Sequence, residues 1–261
     1  MPTRKPFVGG NWKMNLNQDE AVALARAVAG CARPDVQVAV APPLVYLAQV
    51  ASELGHSQVL LAAQNGYWQP NGPFTGEVSL SMLQDVGVKV LLVGHSERRW
   101  VIQETDALIN HKVLAALEDG FEVILCVGET IEQRRADQTD AINTAQINYG
   151  LAGVRSDQMA QVTIAYEPLW AIGTGQTATP DDAQQACRMI RRALTHLFST
   201  DVARATRIQY GGSVKPSNAA ALFARDDIDG GLIGGASMDA STFAAIVTCA
   251  ATAKAPTQLR C

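Results

Sequence analysis

No stretch of this sequence is strongly basic. Its 21 lysines and arginines are spread among 25 aspartates and glutamates, for a formal net charge of −4. Nucleic acid and anionic membrane are therefore poor partners, and any positive field for an anionic ligand must be local. No apolar run approaches the roughly 20 residues that a membrane-spanning helix needs. The opening MPTRKPFVGGNWK carries early cations but no apolar core, so no secretory signal is expected. Five cysteines, at 31, 126, 187, 249 and 261, form no C-x-x-C pair, and no His or Cys cluster has metal-ligand spacing. Reduced thiols in a cytoplasmic protein are expected. No G-x-G-x-x-G follows the first strand-like run, which argues against an open dinucleotide-binding sheet.

What is present is a repeated alternation. Short apolar runs occur at 6–11, 36–41, 59–64, 88–94, 122–128, 162–167, 206–212 and 230–235. They are nearly continuous in apolar residues, the pattern of parallel strands covered on both faces. Amphipathic segments lie between them, at 18–30, 43–55, 79–87, 105–120 and 179–198, and a last one at 240–253 closes the series. Gly120 reads as a helix stop, and Thr179-Pro180-Asp181-Asp182 as a helix start with an N-cap, a proline in the first turn and acids behind it. A strand–helix unit repeated eight times in 261 residues predicts a closed (β/α)8 barrel of eight parallel strands with outer helices. No linker interrupts it, so residues 1–261 are expected to form one domain.

Polar, charged and glycine residues gather where the strands end. Asn11 and Lys13 follow the first run, His95 and Glu97 the fourth, Cys126 ends the fifth with Glu129 beyond, and Glu167 ends the sixth. In a parallel barrel these positions share one rim, where barrel active sites sit. Two glycine-rich turns, Tyr210-Gly211-Gly212-Ser213 and Gly234-Gly235-Ala236-Ser237, follow the last two runs. Glycine lets the backbone approach a ligand and aims N–H groups at it, so these turns are candidate phosphate sites.

Together the stretches Asn11-Trp12-Lys13-Met14-Asn15, Gly94-His95-Ser96-Glu97-Arg98-Arg99, Cys126-Val127-Gly128-Glu129, AYEPLWAIGTG (165–175) and the two glycine turns resemble the triosephosphate isomerase family, in order along the whole chain. The resemblance implies a TIM barrel that interconverts dihydroxyacetone phosphate and D-glyceraldehyde 3-phosphate through an enediol(ate). Glu167 would be the base, and a carboxylate at a strand end, with two oxygens, suits a proton shuttled between adjacent carbons. His95 and Asn11 would serve the developing oxyanion. Lys13 would supply the local cation, with Glu97 as its ion-pair partner or a second carboxylate. Cys126 reads as a packed thiol. Phosphate would meet Asn11, Lys13, Gly173, Ser213, Gly234 and Gly235. Such proton transfer requires neither metal nor organic cofactor.

An enediol phosphate exposed to water can expel phosphate, so the site must close during turnover. Pro168, Leu169, Trp170, Ala171, Ile172, Gly173, Thr174 and Gly175 are expected to form the lid, stiff at Pro168, apolar over the site and glycine-rich near the phosphate. Gln176 stands where many relatives would carry lysine. Residues 64–77 form a turn-rich loop with Tyr67, Trp68 and Phe74. In the family this loop enters a second subunit with Thr75 at its tip, which implies a homodimer. Two alternatives stay open: another phosphosugar barrel enzyme, and an inactive phosphate-binding barrel. An aldolase of the Schiff-base kind needs a rim lysine other than Lys13. An inactive barrel would have lost Glu167, His95 or Lys13. The tail 255–261, ending in Cys261, carries no structural signal.

Overall fold

The computed structural model describes residues 4–172 and 178–253. Its eight strands are β1 (Phe7–Asn11), β2 (Gln37–Ala41), β3 (Val59–Ala63), β4 (Val90–Val93), β5 (Glu122–Val127), β6 (Val162–Tyr166), β7 (Arg207–Tyr210) and β8 (Gly230–Ile233). Each runs parallel to its sequence neighbours, and β8 pairs with β1, from Phe7 opposite Gly230 to Gly10 opposite Ile233. The sheet is the closed (β/α)8 barrel that the strand spacing predicts.

The continuous apolar character of the strands has a direct cause. Alternate residues point to opposite faces of a strand. Phe7, Ala39, Val90, Leu92, Ile124, Cys126, Ala165 and Leu232 fill the barrel interior. Their neighbours Val8, Val38, Leu91, Val123, Leu125, Ile164 and Ile233 face outward and pack under the helices. Both faces are dry, so polar residues on them are few and need partners, as Gln209 finds one in the Phe7 carbonyl at 3.0 Å.

Among the described residues the helices are α1 (Gln18–Ala29), α2 (Leu47–Leu54), α3 (Leu80–Asp85), α4 (Ser96–Trp100), α5 (Asp106–Glu118), α6 (Ile131–Arg135), α7 (Thr139–Gly150), α8 (Pro180–Leu197), α9 (Thr200–Ala205), α10 (Pro216–Phe223) and α11 (Ala240–Ala253). The helix-start signal at Thr179 is used, its Oγ1 accepting the Asp182 N–H, and Thr105 caps α5 in the same way by accepting the Leu108 N–H. Gly120, at φ +82°, takes the chain out of α5. Five helices, α4, α6, α7, α9 and α10, lie outside the amphipathic segments. In α7 the reason is plain, because its buried residues are Asn143, Gln146, Ile147 and Gly150. Two amides and a glycine occupy the face where an apolar stripe would stand.

Candidate active site

All eight strands point their C-terminal ends at one rim, and there a cavity of about 860 Å³ opens. Asn11, Lys13, His95, Glu167, Ser213, Gly234 and Gly235 line it. The closed sheet brings together residues up to 224 positions apart, from Asn11 to Gly235.

Glu167 directly follows β6, its N–H held by the Val127 carbonyl at 2.7 Å. Its side chain is 2% exposed, and both oxygens are engaged. Oε2 accepts the Ser96 N–H at 2.8 Å, and Oε1 lies 3.0 Å from His95 Nε2. Burial, the largest single influence, opposes ionisation of Glu167. The imidazole, the Ser96 N–H and the Lys13 ammonium together outweigh it and hold the pKa below the ordinary carboxylate value.

His95 follows β4 as the cap of α4, and it is nearly as buried, at 6% exposure. Its Nδ1 accepts the Glu97 N–H at 3.3 Å, so the ring hydrogen sits on Nε2 and faces Glu167. Burial is again the largest influence and lowers the imidazole pKa, but Glu167 and Glu97 pull harder and raise it. The second proton of an imidazolium would have to occupy Nδ1, against the Glu97 N–H. The hydrogen-bond geometry therefore holds a neutral ring that donates through Nε2.

Lys13 takes a left-handed backbone conformation, φ +54°, uncommon for a residue with a side chain. Two contacts hold it there: its N–H donates to Asn11 Oδ1 at 2.9 Å, and Gln64 Nε2 donates to its carbonyl at 2.7 Å. Its Nζ reaches Glu97 Oε1 at 2.6 Å. Of the two roles open to Glu97, the structure shows the ion pair, and Glu97 does not line the cavity. Lys13 also lies against the glycine turn after β8, since a Cβ on Gly234 would stand 3.3 Å from its Cε.

Of the described positions expected to form the lid, only Ile172 lines the cavity. Pro168 begins the segment, and Leu169–Ala171 is a 3-10 turn with Ala171 buried. Trp170 faces away from the cavity. Its Nε1 donates to Glu129 Oε1 at 2.9 Å, and Arg134 stacks on its ring at 4.3 Å. Glu129, fully buried, also accepts Tyr166 Oη–H at 3.0 Å. Gly173, Thr174, Gly175 and Gln176, like Cys261, lie outside the described residues. Thr75 is exposed on the β3–α3 loop, outside the cavity.

Three groups that the sequence placed near strand ends without a role are engaged in the structure: the Ser96 N–H, the Gln64 amide and the Glu129 carboxylate. Each stands in or beside a strand end, so position marked them, but their partners come from other units. Cys126 lies against the Glu167 side chain. Burial first, then Glu167, raises its thiol pKa well above the ordinary value, which suits packing and not nucleophilic attack. Among the described residues no group of three or more His, Cys, Asp or Glu is placed to hold a metal ion.

A family model described as triosephosphate isomerase matches residues 6–250. The chain is 51% identical over 246 residues to the triosephosphate isomerase of Carboxydothermus hydrogenoformans, covering 94% of this chain and 98% of the relative. It is 48% identical over 250 residues to that of Chlorobium phaeobacteroides, covering 95% and 99%. Against the triosephosphate isomerase of Rhodopirellula baltica the identity is 46% over 253 residues, covering 96% and 100%.

Proposed function

The chain belongs to the triosephosphate isomerase family, and we infer that it interconverts dihydroxyacetone phosphate and D-glyceraldehyde 3-phosphate by proton transfer through an enediol(ate). The carrying observation is that a carboxylate, an imidazole and an ammonium, from the ends of β6, β4 and β1, line one cavity. Neither an aldolase nor an inactive barrel accounts for all three.

Each group has a task that its surroundings suit. Glu167 is ionised and can take a proton from one carbon and return it to the next. Both its oxygens are engaged at rest, so it must turn from Ser96 and His95 toward the substrate. Once it turns, the upward pull of its carboxylate on His95 is gone, and burial favours the neutral ring. Neutral His95 then donates Nε2–H to the oxygen on which negative charge develops. Asn11 Oδ1 is occupied by the Lys13 N–H, so its amide nitrogen is the group offered to substrate. Lys13 provides the local cation that a chain of net charge −4 needs for a phosphorylated ligand. The turns at Ser213 and at Gly234-Gly235 offer backbone N–H groups to the phosphate. The lid begins at Pro168, where Trp170 is anchored to Glu129 and Ile172 forms an apolar wall of the cavity.

The whole barrel is read as one domain acting as a homodimer. Large apolar residues stand exposed after the first four strands, and a second copy would cover them. The described helices include none long and apolar enough to cross a membrane, and the four described cysteines are unpaired. Both features agree with a cytoplasmic enzyme.

Glu167→Asp tests the reading by shortening the base by one methylene. In a coupled assay of glyceraldehyde 3-phosphate isomerisation the intact chain is expected to turn over. The variant should lose kcat by orders of magnitude with KM much less changed, since placing the base matters mainly in the transition state. A variant as fast as the parent removes Glu167 from its role.

A further inference from the structure

We propose that Gln146, on the buried face of α7, is a positioning residue for the Glu167 base, acting through the backbone of Gly128. The proposal rests on Glu167 being the base. Strand β5 ends at Val127, one residue short of Gly128, and Gly128 is buried. Buried peptide groups must find partners. Here the partner is one side chain: the Gly128 N–H donates to Gln146 Oε1 at 2.8 Å, and Gln146 Nε2 donates to the Gly128 carbonyl at 3.1 Å. The amide occupies the place that another strand residue would take and extends the ladder by one step.

Gly128 in turn carries the base. A Cβ added there would stand 1.8 Å from the Glu167 carbonyl oxygen and 2.6 Å from its carbonyl carbon, so the Gly128 backbone lies directly against the peptide of Glu167. On the same strand end, the Val127 carbonyl holds the Glu167 N–H. A shift of Gly128 by a few tenths of an ångström is therefore passed to the backbone from which the carboxylate swings. Gln146 has only 8% exposure and does not line the substrate cavity, and both of its hydrogen bonds go to Gly128, so the contact through Gly128 is its direct route to the base. The same requirement explains why α7 buries an amide where a leucine would pack with less desolvation.

The test compares kcat and KM of the intact protein with Gln146→Leu, Gln146→Glu and Glu167→Asp, from mildly acidic to mildly alkaline pH. Leucine fills the space but offers neither donor nor acceptor. Its kcat should fall about ten- to a hundred-fold, the scale of a small misplacement at a reacting centre, with KM within about two-fold. Glutamate keeps the shape. As a carboxylate it accepts the Gly128 N–H but sets a second acceptor against the Gly128 carbonyl, and when protonated it recovers a donor. Its kcat relative to the parent at the same pH should therefore rise as pH falls, a response that a merely structural role would not show. A folded Gln146→Leu protein with parental kcat, a loss confined to KM, or a flat Gln146→Glu ratio overturns the proposal. If the leucine variant does not fold, the glutamate ratio decides. Parental turnover in Glu167→Asp instead overturns the reading of the base itself.

Discussion

A missing methyl group decides where the base can stand. A Cβ at Gly211 would lie 2.8 Å from Glu167 Cγ and 3.2 Å from the Tyr166 carbonyl. Gly211→Ala is thus expected to push the carboxylate out of its seat and lower kcat about ten-fold or more, while overpacking costs about 1–3 kcal/mol of stability. Steady-state kinetics beside thermal unfolding check this, and a variant with parental kcat refutes it. At this scale the sequence is only half legible. Position at strand ends marks Glu167, His95 and Lys13, and the family motifs around them supply their expected roles. It does not show which nitrogen of His95 carries the hydrogen. That depends on the Glu97 N–H, whose direction is set by the turn into α4.

Among the elements, caps were legible and buried polar faces were not. Thr179 announces α8 because a cap is a local contact, made within three residues. Helix α11, which backs the glycine turn after β8, starts the same way. Asp239 Oδ1 accepts the Thr242 N–H at 2.8 Å and the Ser241 hydroxyl at 2.6 Å. The Ser241 hydroxyl, then the contacts with Thr242, hold the Asp239 carboxyl down at about 2. A depressed carboxyl pKa stabilises the fold above the ordinary value of 3.8 and loses that contribution as pH falls toward 2. The melting-temperature gap between the parent and Asp239→Ala should therefore be full near neutral pH and shrink as pH drops through that window. A gap constant down to pH 2 would show that the cap's charge is irrelevant. Helix α7 shows the opposite case. Its buried Asn143 and Gln146 serve Glu129 and Gly128, both on the β5–α6 connection, and no periodicity in α7 alone could reveal those partners.

For the molecule as a whole, the exposed apolar surface is uneven. Met14 is 94% exposed, Val101 72% and Ile102 59%; Val45 and Met82 also stand out. They follow β1 to β4, which are neighbours in the barrel, whereas Tyr149, 61% exposed on α7, stands outside this group. Such a patch supports the proposed homodimer, in which a second copy of the chain would cover it. The aromatics of the 64–77 loop are half-buried within their own chain. Tyr67 packs on Trp68 and Phe74, and Trp68 stacks on His111 of α5. They brace the loop and leave Thr75 exposed. Sedimentation should find a dimer at micromolar concentration, and a Val101→Asp, Ile102→Asp double variant should run as a monomer with lower kcat, because Met14 adjoins Lys13. A fully active parent monomer would remove the dimer.

The sequence by itself determined the eight strands, the barrel they close into and the chemistry gathered at their ends. These follow from local causes: apolar runs too continuous for a one-sided sheet, caps made within a turn, and reactive side chains at the ends of strands. Only the tertiary structure decided how those side chains are held. Glu167 rests between Ser96 and His95 and Lys13 lies against Gly234, because closure of the sheet gathers the strand ends, and Gly128 hangs from Gln146, because α7 packs back onto the end of β5. Hydrogen bonds act over about 3 Å of space, whatever the distance along the chain.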